Sequence, residues 1–239
     1  MNLCVDIGNT TAKAGIFENG VMVEEKKQLS DRAIVQLVKQ LNPDAAIIAS
    51  VRKGVKKIIR EVEAQTTTVV LKHGIRLPFV NDYGTPETLG VDRIAAVAGA
   101  VSLYPARACL IIDVGTCITY DLVDSNGVYH GGGISPGIEM RLKAMHKFTS
   151  KLPVVMPGGK TELIGKTTRE CMLSGALIGS EAEVQGIIDR YTQYFPQLTI
   201  IFCGGGTQFF ESKIKDHIFA VPNLVLVGLD QILTMNFND

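Results

Sequence analysis

Near the N-terminus, Asp6-Ile7-Gly8-Asn9-Thr10-Thr11-Ala12-Lys13 gathers the groups that a phosphate ester needs. Gly8 lets the backbone approach an anion, turn amides and threonine hydroxyls donate hydrogen bonds, Lys13 brings positive charge, and the Asp6 carboxylate can hold a hydrated magnesium ion. No Walker loop is present, because G-x-x-x-x-G-K-[ST] does not occur. An ordinary hairpin stabilised by its Asp and Asn is the bland alternative. A second copy of the pattern weighs against it. Asp6-Ile7-Gly8 and Asn19-Gly20-Val21 recur as Asp113-Val114-Gly115 and Asn126-Gly127-Val128, each residue 107 positions further on. In both copies an apolar strand delivers a carboxylate and a glycine into a Thr-bearing turn, and an Asn-Gly turn follows one strand later. Two duplicated halves, each bringing a phosphate-handling hairpin to a cleft, account for the repeat.

The elements that must position these turns read as follows. Strands are expected at 2–7, 12–18 and 21–28, an antiparallel meander. The period then changes: Ile34, Leu37, Val38 and Leu41 recur at helical spacing after Ser30-Asp31. A short buried strand at 45–50, a helix at 55–63 and the β-branched run 66–71 follow. The alternation predicts an α/β fold, a mixed sheet flanked by helices. A polar stretch, 73–85, leads to Pro86, suited to the first turn of a helix carrying Ile94, Val97, Ala98 and Val101. The spacing puts a domain boundary near Tyr104-Pro105, giving domains 1–105 and 106–239. The second half repeats the meander over 108–131, and the glycine-rich run 131–137 is expected to bend into a helix bearing Ile138, Leu142 and Met145. A loop at 153–159 precedes a long helix that Thr167 or Thr168 can cap and that runs to about Tyr194. Its Gly175, Gly179 and Gly186 would admit a closely packed helix, at a domain or subunit interface. A strand at 198–203, a sharp turn at 204–206 and an apolar helix at 223–237 close the chain.

Composition narrows the partners. Lysine plus arginine equal aspartate plus glutamate at 24 each, so no net field draws the chain to nucleic acid or an anionic membrane, and a small-molecule ligand is expected. The N-terminus enters a strand without a basic segment and long apolar run, and no apolar stretch reaches roughly 18 residues, so neither a signal peptide nor a membrane span is expected and the location should be cytoplasmic. Cys4, Cys109, Cys117, Cys171 and Cys203 form no C-x-x-C pair; they are expected as reduced residues, without disulfide or zinc. His73, His130, His146 and His217 show no metal spacing.

Asp-Ile-Gly-Asn-Thr at the N-terminus, Gly90-Val91-Asp92-Arg93 in the middle and Asp113-Val114-Gly115-Thr116 after it stand in a familiar order. So do Tyr83, Thr85-Pro86, the Gly-Gly-x-Ile-x-Pro-Gly run at 131–137, Gly165-Lys166-Thr167-Thr168 and Cys203-Gly204-Gly205-Gly206. Over nearly its whole length the chain resembles type III pantothenate kinases. That resemblance implies two ribonuclease-H-like domains of the actin, sugar-kinase and Hsp70-like ATPase superfamily, with ATP between them, and ATP-dependent phosphorylation of pantothenate to 4′-phosphopantothenate, the entry to coenzyme A synthesis. It implies a homodimer with pantothenate near the subunit interface. It also implies roles residue by residue. Asp6 would help bind magnesium, and Asp6, Ile7, Gly8, Asn9, Thr10, Thr11, Ala12 and Lys13 would cradle the ATP phosphates. Asp92 would be the general base. Tyr83, Gly90, Val91, Asp92, Arg93 and Thr168 would bind the substrate. Asp113 would ligate the monovalent cation, potassium or ammonium, that the family requires. Thr116 would contact ATP, and Gly204, Gly205 and Gly206 would lie against adenosine.

The residues alone leave alternatives. An Asp-Arg pair at a helix start also serves as a cap with a surface charge. Asp113 would be a second magnesium ligand if the repeat carried function as well as form, and the triglycine would serve as a strand-to-helix turn. Cys117-Ile118 departs from the small or threonine-type residues common in the family's second phosphate turn. A kinase for a sugar or another small alcohol, and a non-catalytic nucleotide-binding regulator, are the competing functions; retention of Asp6, Asp92, Arg93, Asp113 and Thr116 together speaks against a degenerate site.

Overall fold

Strand β1 (Asn2–Ile7) is buried on both faces, and the first half of the chain is organised around it. The computed structural model describes all residues except Thr10, Ser212, 215–217 and 238–239. After β1 come β2 (Ala12–Glu18), β3 (Val21–Leu29), α1 (Asp31–Leu41), β4 (Ala45–Ser50), α2 (Lys56–Glu63), β5 (Thr67–Val70) and β6 (Val80–Asn81). A 3-10 turn at Pro86–Thr88 precedes α3 (Val91–Leu103). Then follow β7 (Cys109–Val114), β8 (Cys117–Val123), β9 (Val128–Pro136), α4 (Ile138–Lys147), α5 (Thr168–Tyr194), β10 (Thr199–Cys203), α6 (Thr207–Glu211), β11 (Ile218–Ala220) and α7 (Leu224–Phe237).

Two mixed sheets result. The first has the order β3-β2-β1-β4-β5 and the second β6-β9-β8-β7-β10-β11. Setting β6 aside, both run third, second, first, fourth, fifth in order of appearance. β1 and β4 are parallel, as are β4 and β5, and so are β7 and β10, and β10 and β11. Leu3, Val5 and Ile7 pack against Ile34, Val38, Ile58 and Val62 of α1 and α2. In the second sheet, Leu110, Ile112 and Phe202 pack with Val184 and Ile188 of α5 and Phe210 of α6. Among the described residues no helix is long and apolar enough to cross a membrane.

Contacts divide the chain into two compact units, one of Met1–Arg107, Val123–Gly131 and Asn223–Asp239, the other of Ala108–Leu122 and Gly132–Pro222. Relative to the sequence-based division at 105/106, the C-terminal helix joins the first unit. The reason is α7, which packs on α3, β1 and β4. A Cβ on Gly99 would strike the Leu224 carbonyl, and one on Gly228 the Ala95 carbonyl, so the backbones of α3 and α7 touch where both lack side chains. Close helix packing was expected of Gly175, Gly179 and Gly186 instead; nothing lies within 4 Å of a Cβ at any of them.

Three further differences have local causes. The glycine-rich run stays in β9 rather than bending at once into a helix, because a Cβ on Gly132 would overlap the Tyr120 carbonyl of the neighbouring strand. Pro86 starts only a 3-10 turn, since Leu89 and Gly90 are extended and α3 begins afresh at Val91. Both β6 and β11, of two and three residues, went unforeseen. The long helix matches its expected span, with Thr167 and Glu170 forming a reciprocal capping box.

Asp230, 6% exposed on α7, accepts a 2.8 Å hydrogen bond from the Asn2 amide. Burial pushes its carboxyl up from the usual 3.8, against the lowering effects of Asn2 and the N-terminal ammonium. The folded state thus holds this proton more tightly than the unfolded chain. The ionised form costs stability at pH values above the folded pKa, and the cost vanishes below the unfolded one. Asp230→Asn keeps an acceptor for Asn2 without the charge. It is expected to raise the melting temperature at pH 7 by about 2–4 °C, the effect of ~1 kcal/mol in a chain of this size. The gain should disappear near pH ~3. Thermal melts at both pH values check this, and an unchanged or lower midpoint at pH 7 contradicts it.

Candidate active site

In the first unit the turn after β1 reverses tightly, with the Gly8 amide donating to the Thr11 carbonyl at 3.0 Å. This sets β2 antiparallel to β1 with Asp6 directly opposite Lys13. Their side chains meet at 3.5 Å, with Asp6 15% and Lys13 26% exposed. Burial raises the Asp6 carboxyl above its usual range; Lys13 opposes this and the negative charge of Asp92 adds to it. A half-buried carboxylate flanked by a lysine and a second carboxylate is poised to gain from a divalent cation, which would relieve the repulsion between them. Ile7 and Ala12 are core residues flanking the turn, whereas Asn9 and Thr11 are exposed and Gly8 is half-buried. Thr10, expected at the phosphates, lies outside the described residues.

The same unit carries the Gly90-Val91-Asp92-Arg93 motif at the start of α3. Gly90 is its N-cap, and a Cβ there would sit 2.5 Å from Asp92 Oδ1. The bare Gly90 leaves room for that carboxylate to fold back and accept the Arg93 amide at 2.9 Å. Arg93 is 6% exposed, and its guanidinium carbon stands 5.7 Å from the centre of the Tyr83 ring. Tyr83 in turn stacks on Tyr129 with ring centres 6.1 Å apart. Tyr83 and Arg93, 10 positions apart in sequence, are therefore neighbours. Tyr129, buried in β9, was not foreseen in this role, although its place two strands after the repeated Asp-Val-Gly was a signal.

In the second unit, β7 ends at Asp113-Val114 and the exposed Gly115-Thr116 turn leads into β8. Parallel pairing of β7 with β10 puts Asp113 beside Cys203. The following turn, Gly204-Gly205-Gly206, is thereby laid across the end of β7. Gly204 has φ +86°, and a Cβ there would collide with Asp113 Oδ1 and the Val114 carbonyl. The Gly206 amide donates to that carbonyl at 2.9 Å. Carboxyl ends of neighbouring parallel strands are where open α/β sheets take ligands. The donor set at Asp113, one carboxylate beside main-chain oxygen, suits a weakly hydrated cation as well as magnesium. Thr168 is exposed as the first residue of α5. Cys117, half-buried, follows the turn, and its carbonyl accepts the Gly115 amide at 2.9 Å. Among the described residues no group of three or more His, Cys, Asp or Glu could hold a metal. Any magnesium here would therefore be held by one or two carboxylates with water and phosphate oxygens, its common pattern in kinases. His217 lies outside the described residues.

A sequence model of type III pantothenate kinase matches residues 2–190. The chain belongs to the type III pantothenate kinase family. The matched span contains both hairpins, the turn into α3 and the start of α5; the triglycine lies beyond it. The type III pantothenate kinase of Christiangramia forsetii is 43% identical over 240 residues, covering 99% of both chains. That of Phocaeicola vulgatus is 41% identical over 239 residues, again covering 99% of both. Among solved structures, a Campylobacter jejuni protein described as a Baf family transcriptional activator superposes with TM-score 0.67 at 20% identity, covering 99% of this chain and 100% of that one. A Sinorhizobium meliloti protein described as a 2-dehydro-3-deoxygalactonokinase gives TM-score 0.56 at 14% identity, covering 98% and 99%. At those identities the two structures speak to the fold, an α/β architecture shared with sugar kinases.

Proposed function

We infer that this chain transfers the γ-phosphoryl group of ATP to the hydroxyl of pantothenate, giving 4′-phosphopantothenate in the first step of coenzyme A biosynthesis. The observation that carries this is the full-length likeness to type III pantothenate kinases at 43% identity. The motif residues support it. Asp92 acts as the general base, taking the hydroxyl proton as the new O–P bond forms; an alcohol is so weak an acid that an acceptor is needed only then. Arg93, steadied by the Tyr83 ring, offers a guanidinium fork to the pantothenate carboxylate, with Gly90 and Val91 completing that wall and Thr168 shaping the pocket. Lys13 and the turn from Asp6 to Ala12 hold the triphosphate. Thr116 touches ATP, and Gly204, Gly205 and Gly206 lie against adenosine. Asp6 would hold magnesium and Asp113 a potassium or ammonium ion; when bound, these cations neutralise the phosphate charge that builds in the transition state. Positioning and charge neutralisation supply most of the rate, as in other phosphoryl transfers.

The two sheets share one strand order, and the Asp-x-Gly turns occupy equivalent strands in each, which supports descent of the halves from one ribonuclease-H-like ancestor. A homodimer and a cytoplasmic location belong to the same reading. The dimer is supported on the second unit by the exposed Leu163 and Ile164, at 73% and 78%, where the Leu163 carbonyl accepts the hydroxyl of Ser174, the residue before the open Gly175 of α5. A coupled ADP-release assay on the purified protein tests the function. Turnover is expected with pantothenate and not with hexoses; preference for a hexose, or nucleotide binding without turnover on any acceptor, overturns it.

A further inference from the structure

One cluster of charged side chains in the second unit lies outside the machinery just assigned. On α4, Arg141 points its guanidinium back at the end of β9. Its Nε donates to the Pro136 carbonyl at 2.8 Å, and one terminal nitrogen donates to Ser135 Oγ at 2.7 Å and to the Glu183 carboxylate of α5 at 2.5 Å. The other Glu183 oxygen accepts the Tyr120 hydroxyl of β8 at 3.0 Å. Arg141 and Glu183 are 21% and 29% exposed, so the pair is sheltered enough to be held in one geometry. Burial pushes the Glu183 carboxyl up, but the bonds from Ser135, Arg141 and Tyr120 outweigh it and keep the group below the usual carboxylate range. The segment they grip ends at Gly137, whose amide donates to the Thr116 carbonyl at 3.0 Å. A Cβ on Gly137 would stand 2.5 Å from the Gly115 carbonyl and 2.6 Å from that of Thr116. Three elements are thus tied to one short stretch of chain, and that stretch presses on the Gly115-Thr116 turn.

We propose that Arg141 and Glu183 are positioning residues for nucleotide: by clamping Ser135-Pro136-Gly137 they fix the Gly115-Thr116 turn in the shape that receives the ATP phosphates. The proposal rests on the reading that Thr116 meets ATP. It follows from a mechanical asymmetry. The turn itself is exposed and carries few bonds of its own, whereas Gly137 abuts it with no side chain to yield, so a shift at Ser135 or Pro136 is passed on to Thr116. Ground-state and transition-state contacts to the phosphates should weaken together, raising the KM for MgATP while the pantothenate side is spared.

Steady-state kinetics of the full-length enzyme, varying MgATP and pantothenate in turn, test this with Arg141→Met, Arg141→Lys, Glu183→Gln and Thr116→Val. Arg141→Met is expected to raise the KM for MgATP about tenfold, the scale of one lost charged hydrogen bond, with the KM for pantothenate within about twofold of native. Arg141→Lys should recover part of the loss, because an ammonium keeps the bond to Glu183 but cannot fork to Ser135 and Pro136 together. Thr116→Val should raise the KM for MgATP as well. If Thr116→Val raises it and Arg141→Met does not, the clamp is overturned and the nucleotide reading stands. If neither raises it, Thr116 is not at the nucleotide and the proposal falls with that reading. Equal rises in both KM values, or a fall in kcat alone, would mean a merely structural role and also overturn it. Should Arg141→Met fail to fold, Glu183→Gln decides: it keeps size and acceptor but drops the charge, and a KM for MgATP unchanged from native counts against the clamp.

Discussion

Asp92→Asn is expected to lower kcat at least about a hundredfold, the usual scale for losing a positioned general base, while MgATP binding stays near native. The amide is isosteric with the carboxylate. Its oxygen still accepts the Arg93 amide that Asp92 Oδ1 accepts at 2.9 Å, and it still fits the space that Gly90 leaves. The start of α3 is thus undisturbed, and what the variant lacks is the capacity to take a proton. Removing one of two nearby negative charges also eases the burden on Asp6, whose carboxyl burial and then Asp92 both push up. The same loss of charge lessens the attraction for a divalent cation at Asp6, so nucleotide affinity should stay near native. ADP release measures turnover, and calorimetric titration with MgATP measures binding. Near-normal turnover in a folded Asp92→Asn protein would take Asp92 out of the base role and leave it as a helix-start residue.

A second large effect is expected from the choice of salt. Asp113 occupies in the second hairpin the place of Asp6 in the first, and the symmetry of the chain would make it a magnesium ligand. Its surroundings differ in chemistry. Asp6 faces Lys13 across an antiparallel pair, whereas Asp113 abuts the Gly204 turn and the main-chain oxygen of Val114. One carboxylate beside a main-chain oxygen takes a larger, weakly hydrated ion as well as it takes magnesium, and ion substitution tells the two apart. If Asp113 takes a monovalent cation, replacing potassium and ammonium by sodium at saturating magnesium should cut activity at least about tenfold, because oxygen ligands arranged for a larger ion hold a smaller one loosely. Asp113→Ala should lose activity to a similar degree, with little recovery on adding magnesium. Full activity in sodium alone, or rescue of the variant by magnesium, would show that the symmetry of sequence extends to the ions.

What could be read from the sequence was mostly local. The two Asp-x-Gly turns and the Asn-Gly turns that follow are fixed by residues next to one another, so the meanders were legible, as was the Thr167-x-x-Glu170 start of α5. Partners set by register or by distant chain were not. Asp6 and Lys13 were both singled out, but that they pair follows only once the turn length sets them opposite. Arg141 and Glu183 lie 42 residues apart on two helices, and nothing in either helix's pattern announces the other. β6, with two residues, and β11, with three, owe their existence to the neighbour each joins, and no propensity signal survives at that length. Glycine was legible only in part: along α5 it faces open space within the chain, which leaves a subunit interface as its reading, while Gly99 and Gly228, in unremarked positions, bring two backbones together.

The seating of α7 on α3 and β1 sets an order of events during synthesis. Asn2 and Asp230, hydrogen-bonded in the folded protein, are separated by 228 positions. At about 5–20 residues per second, a ribosome needs roughly 10–45 s to make the second after the first. Through that interval one face of β1 and β4 waits for its covering helix, and when that helix is made every residue of the second unit, which ends at Pro222, is already in the chain. The half that begins the chain is the last to be finished, and its uncovered sheet is the surface that a chaperone would meet on the nascent polypeptide.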